Sequence, residues 1–131
     1  MTRPRRGRHD EGQASVELAL LLPVVLVLLL AVLQVGLLAR DVVLVAHAAR
    51  EAARAAATEP DLQVARAAAL SSGGLEPSRL DVALAITGID PGRRVVVEVT
   101  YRVPTRVPLV GRMVADRTIA TTATMRVEAP P

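Results

Sequence analysis

A chain of 131 residues has room for one modest domain, and setting aside its longest apolar stretch leaves roughly 90 residues to build it. There is no cysteine, which excludes a disulfide framework, a thiolate metal site and a cysteine nucleophile. With no Phe or Trp and a single Tyr101, any core must be made of Val, Leu, Ile, Ala and Met. All of the 16 basic residues are arginine and the net charge is only +3, so the high pI of 10.9 reflects side chains that do not deprotonate rather than a basic surface. Without a basic stripe or aromatic stacking partners, nucleic acid is not an expected partner.

Arg3, Arg5, Arg6 and Arg8 stand ahead of Asp10 and Glu11, and after them Leu18 to Ala39 reads LALLLPVVLVLLLAVLQVGLLA without a charge. As a helix this run extends about 33 Å, close to the thickness of a bilayer's hydrocarbon. A helix apolar all round needs covering layers in a soluble protein, and the remaining chain is too small to supply them. A cleaved secretory signal fits less well, because its apolar region is shorter and the nearest small-x-small pattern, Ala46-His47-Ala48, lies beyond Arg40 and Asp41. The positive charge on the N-terminal side places residues 1–12 in the cytoplasm and the C-terminal part outside the membrane. Pro23 removes an N–H and crowds the carbonyl of Ala19, so a kink or a locally melted turn is expected at residues 19–23.

The junction before the run is Gly12-Gln13-Ala14-Ser15-Val16-Glu17. A carboxylate at the mouth of an apolar helix is costly unless it is paired, which makes Glu17 a candidate functional residue. Beyond the run, residues 41–58 read DVVLVAHAAREAARAAAT, free of Gly and Pro and dominated by the best helix former. One continuous helix over residues 13–58 is expected. Val42, Val45, Ala49, Ala53 and Ala56 form a stripe of small side chains along it, with Arg50 and Arg54 on another face. That stripe suits either a neighbouring helix or the protein's own sheet.

The junction resembles the leader-peptide site of type IV prepilins, in which a prepilin peptidase cuts after a glycine and the fifth residue of the mature chain is glutamate. Cleavage after Gly12 would make Gln13 the new N-terminus and Glu17 the fifth residue. GQASVELALLLPVVL, taken with Ala49-Arg50-Glu51-Ala52-Ala53-Arg54, is similar to the TadE-like minor pilins or pseudopilins of the Flp/Tad systems. The resemblance implies a pilin-like fold, a bacterial membrane location, and other pilin or pseudopilin subunits as partners. Glu17 would then register incoming subunits by meeting the free α-amino group of a neighbour, a buried cation that otherwise lacks a counter-charge. Two departures stand out: Gln13 where many type IV pilins have an aromatic residue or Met, and Leu18 where the main Flp pilin pairs its Glu with Tyr.

Pro60 ends or resets the helix, Thr58 or Glu59 can cap a second one through Leu70, and Ser71-Ser72-Gly73-Gly74 stops it. The period then changes to two. Leu80, Val82, Leu84 and Ile86 share one face of a first strand; Val95, Val97, Val99, Tyr101 and Val103 one face of a second; Ile119, Thr121, Ala123, Met125 and Val127 one face of a third. Asp90-Pro91-Gly92 is the turn between the first two. The segment PTRVPLVGRMVA between the second and third is too apolar for a solvated loop, and can tuck under the sheet, touch lipid or meet a partner. The end at Pro130-Pro131 is expected to fray.

The fold class expected is therefore α+β: a long N-terminal transmembrane helix extended into an Ala-rich stalk and packed on a small three-stranded antiparallel sheet. Its parts are a basic leader (1–12), the helix (13–58) and a small outer domain (59–131). His47 and Glu51, four apart, do not make a closed metal site, Ser71 and Ser72 lack a nucleophile setting, and Gly73-Gly74 lacks the rest of a phosphate loop. No enzymatic activity, metal or cofactor is expected. The remaining alternative is a permanent single-pass membrane protein with a partner-binding outer domain.

Overall fold

A computed structural model describes residues 8–89, 92–104 and 117–128, with side chains from Gly12 onward. Helix α1 spans Arg8–Thr58, α2 spans Leu62–Ser71, a single 3-10 turn covers Pro77–Arg79, and three strands follow: β1 Leu80–Thr87, β2 Arg94–Val103 and β3 Arg117–Arg126. The strands form one antiparallel sheet in the order β1-β2-β3. The long apolar helix packed on this sheet is the α+β arrangement read from the sequence.

At 51 residues α1 is about 77 Å long. It runs unbroken through Pro23, and residues 19–23 are all helical, so the expected melted turn does not form. The leucine- and valine-rich residues on both sides keep their own backbone bonds, and only the bond to the Ala19 carbonyl is lost. The helix also begins at Arg8, within the segment read as a leader.

From Asp41 onward α1 becomes the floor of the core. Val45, Ala48, Ala49, Ala52, Ala53, Ala56 and Ala57 are buried, while Arg50 and Arg54 are exposed. One member of the expected stripe is misplaced: Val42 is exposed and Asp41 beside it is 1% exposed. Position 41 is in helical phase with 45, 48, 49 and 52, whereas 42 is turned about 100° away. Of the two partners considered for this face, the protein's own sheet and α2 take it. Alanines let the backbone of α1 lie close to β2, whose Val95, Val97, Val99, Tyr101 and Val103 are all buried.

Helix α2 adds Ala65 and Ala69 to the same core. Its cap is Asp61, in place of the expected Thr58 or Glu59: the Asp61 carboxylate accepts from the N–H groups of Gln63 (2.7 Å) and Val64 (3.2 Å). The helix starts beyond Pro60, two residues past Glu59, and Asp61, with φ −128° and ψ 137°, takes the extended backbone an N-cap needs. Gly73 and Gly74 then stop the helix with φ of +82° and +81°, a conformation that favours glycine. A Cβ on Gly74 would come within 3.1 Å of the Leu44 side chain, so the chain here lies tight against α1.

The strand faces follow the expected alternation, with an open rim. Leu80 and Val82 are buried and Leu84 half-buried, but Ile86 is exposed; on β3, Ile119, Thr121 and Ala123 are half-buried and Met125 is exposed. Ile86 and Met125 both sit level with Val95, one on each outer strand, where two helices no longer cover three strands. Tyr101, the one aromatic residue, is buried and its hydroxyl accepts from the Glu76 N–H at 3.5 Å. Gly92 N–H donates to the Ile89 carbonyl (2.6 Å), closing the turn between β1 and β2; Asp90 and Pro91 themselves lie outside the described residues. So do most of the apolar segment after Val103, the arginines before residue 8, and Pro130-Pro131.

Candidate assembly and processing site

Gly12, Gln13 and Glu17 are all exposed on the first described turns of α1. Gln13 and Glu17 are four residues apart, hence on one face and about 6 Å apart along the axis. Side chains on a helix lean toward its N-terminus, so Glu17 covers the turn that begins at Gln13. An α-amino group created at Gln13 would thus stand one turn from a carboxylate of its own chain, and a neighbouring carboxylate would compete with that arrangement. Gly12 itself is helical, and a Cβ built on it meets nothing within 4 Å.

Above this junction the helix presents a bare apolar cylinder. Val16, Leu18, Leu20, Leu21, Leu22, Val24 and the residues through Leu29 are exposed, and none of the most apolar eighteen-residue stretch is buried. In water such a surface is untenable; in lipid it is the ordinary state of a spanning helix. Gly36 leaves a flat spot on the cylinder, with open space where a side chain would stand.

Two polar residues of the site were not singled out by sequence reasoning. Gln34 carries a buried amide oxygen with no hydrogen-bond partner, and Asp41 is buried where the apolar run ends, with Arg40 reaching it at 3.7 Å. The signal for Gln34 was present, as the sole amide in an otherwise apolar run. Asp41 was masked by the more hydrophobic Val42 next to it.

On the domain side, Glu76 accepts from Ser78 Oγ (2.8 Å) and from Arg79 Nε (2.7 Å). These hold its carboxyl below the ordinary value, the Ser78 hydroxyl most and the Arg79 guanidinium next. His47 is exposed and Glu51 half-buried, and no group of three or more potential metal ligands comes together among the described residues.

The architecture has, among the described residues, one helix long and apolar enough to cross a membrane, exposed along its apolar length and built at its far end into a small α+β domain, which supports a membrane location. The family model described as TadE-like protein matches residues 12–54, from Gly12 through the Ala-Arg-Glu-Ala-Ala-Arg stretch. This match agrees with the resemblance read from those residues, and it covers the apolar helix and the start of the alanine-rich stretch. No curated protein and no solved structure matches the chain.

Proposed function

We propose that the protein is a structural subunit, a minor pilin or pseudopilin of a Tad-type pilus or secretion apparatus, and not an enzyme. In this reading a prepilin peptidase cuts after Gly12, the helix leaves lipid, and α1 packs among the helices of other pilin or pseudopilin subunits. The N-terminus faces the cytoplasm and the α+β domain the outside. The observation that carries the reading is the Gly12 to Glu17 spacing at the mouth of an apolar helix whose residues 12–29 are all exposed, within the segment matched by the TadE-like family. A subunit docking from the membrane brings an α-amino group into an apolar bundle, where an unpaired charge is costly, and Glu17 of a neighbour relieves it.

Mass spectrometry of the protein from cells with an active prepilin peptidase tests the first step. The expected N-terminus is Gln13, and a chain that keeps residues 1–12 overturns the reading. Glu17→Ala is then expected to leave cleavage intact while the subunit drops out of the assembled fraction.

A second reading is a permanent single-pass membrane protein whose outer domain binds a partner. It is favoured by the helical state of Gly12 and of Arg8–Glu11 before it, since a peptidase needs an extended strand at the bond it cuts. On this reading Glu17→Ala is silent and the N-terminus is never trimmed.

A further inference from the structure

The height of the sheet along α1 follows from one hydrogen bond and two rises per residue. Glu128 N–H donates to the Ala57 carbonyl at 2.9 Å, tying the end of β3 to the far end of α1. From Glu128 back to Arg117 the strand covers about 36 Å, whereas α1 from Ala57 back to Arg40 covers only about 26 Å. The strand is thus longer than the stretch of helix it lies along, and even at an incline it reaches back to the level of Arg40. Leu38, the second-last residue of the apolar run, also packs against the core. The sheet therefore does not stand on a stalk above the bilayer; its near end lies at the height where the apolar run gives way to charge.

That near end carries arginine. Arg117 opens β3 opposite Val103 on the helix side of the sheet, Arg102 stands opposite Thr118 on the outer side, and both are exposed and make no salt bridge among the described residues. Arg40 is 53% exposed in its side chain. The acids nearby are already engaged: Asp41 is buried beneath Arg40, and Glu76 is held by Ser78 and Arg79. Asp81 lies on the far strand, one step up from the rim.

We propose that Arg40, Arg102 and Arg117 seat the near end of the sheet in the lipid headgroups, their guanidinium groups binding the phosphate oxygens of anionic phospholipid in the leaflet on the domain's side. Guanidinium forks match phosphate oxygens in pairs, and a long arginine stem can lie along apolar lipid while its head stays at the surface. The domain then rides in the interface, with its orientation to the membrane set at the helix exit and at the sheet rim. This needs α1 to span the bilayer and needs nothing of cleavage at Gly12, so an untrimmed chain seats in the same way.

The chain has no cysteine, so Thr118→Cys and Thr87→Cys each take a single fluorescent label, at the near and far ends of the sheet. The full chain is placed in vesicles of phosphatidylglycerol or of phosphatidylcholine containing a headgroup spin-labelled lipid. The label at 118 is expected to be quenched far more than that at 87 in phosphatidylglycerol. Arg102→Gln with Arg117→Gln should weaken seating by about fivefold per arginine, while Arg102→Lys with Arg117→Lys retains most of it. Circular dichroism of each variant confirms the fold. Equal quenching at 118 and 87, or quenching unchanged in the glutamine variant, overturns the proposal. So does loss of seating on adding inorganic phosphate at constant ionic strength, which would assign the arginines to free phosphate instead.

Discussion

Asp61 and Glu76 are both exposed carboxylates near chain reversals, yet they act through different groups and respond to different tests. Asp61 serves two backbone N–H groups at the start of α2 that have no partner inside the helix. Asp61→Ala is expected to lower stability by about 1 kcal/mol, read as a lower melting temperature of the outer domain, and Asp61→Asn to recover most of it. Glu76 serves side chains, and its effect is one of pH. Hydrogen bonds from Ser78 and Arg79 hold its carboxyl below the ordinary value of 4.5. A carboxyl lowered on folding adds stability that is present above its ordinary value and is lost as pH falls through the lowered one. Acidification from neutral to below that range should therefore lower the melting temperature of the wild type more than that of Glu76→Gln. An identical acid profile for the two would show that the Ser78 and Arg79 bonds contribute nothing to the fold in solution.

At the scale of elements, the decisive contact is the alanine face of α1 against the valine face of β2. Ala49 and Ala53 have no exposed surface, so the helix backbone approaches the sheet with no spare volume between them. Ala53→Leu must force the layers apart or push side chains off their rotamers, and is expected to cost about 1–3 kcal/mol in chemical unfolding. Arg54→Leu, one residue on and exposed, should change stability by less than about 0.5 kcal/mol. This contact also separates what was legible from what was not. The three strands were readable because a period of two survives in the chain as alternation of Val, Leu and Ile with polar residues, and the outer half of the helix because residues 41–58 are rich in Ala and hold no Gly or Pro. The rotation of the helix was not readable to one residue: hydrophobicity favours Val42, while phase with Val45, Ala48 and Ala52 selects Asp41, whose charge hid it. Nor could the sequence announce that Ile86 and Met125 stay open, since that depends on two helices being narrower than the sheet at its far corners. The cap moved to Asp61 for a local reason, since the helix starts beyond Pro60 and Asp61 takes the extended backbone an N-cap needs. At the candidate site, Gly12 and Glu17 were legible because their meaning is a spacing along one chain. Gln34 had its signal as the sole amide of the apolar run, whereas the arginine rim had none, because what marks it is a height, and height appears only once β3 is laid beside α1.

For the whole molecule, one unbroken helix joins the lipid-facing part to the domain core, so any rotation in the membrane is carried to the sheet. An alanine inserted after Val27 lies where α1 is exposed and packs on no other part of the domain, and it turns everything beyond it by about 100° and raises it by about 1.5 Å. The core from Val45 onward is untouched, so the melting temperature of the outer domain should not change. A subunit that contacts its neighbours through Glu17 at one end and through the domain at the other cannot satisfy both after such a turn, and its recovery in the assembled fraction should collapse. Seven inserted residues bring the azimuth back to within about 20° while lengthening the helix by about 10 Å. If azimuth governs assembly, the seven-residue insertion should recover part of it; if height governs, because the sheet rim sits among headgroups, the longer insertion should be the worse of the two. Equal tolerance of both insertions would mean that the membrane helix and the domain act independently, and would remove the reason for building them as one rod.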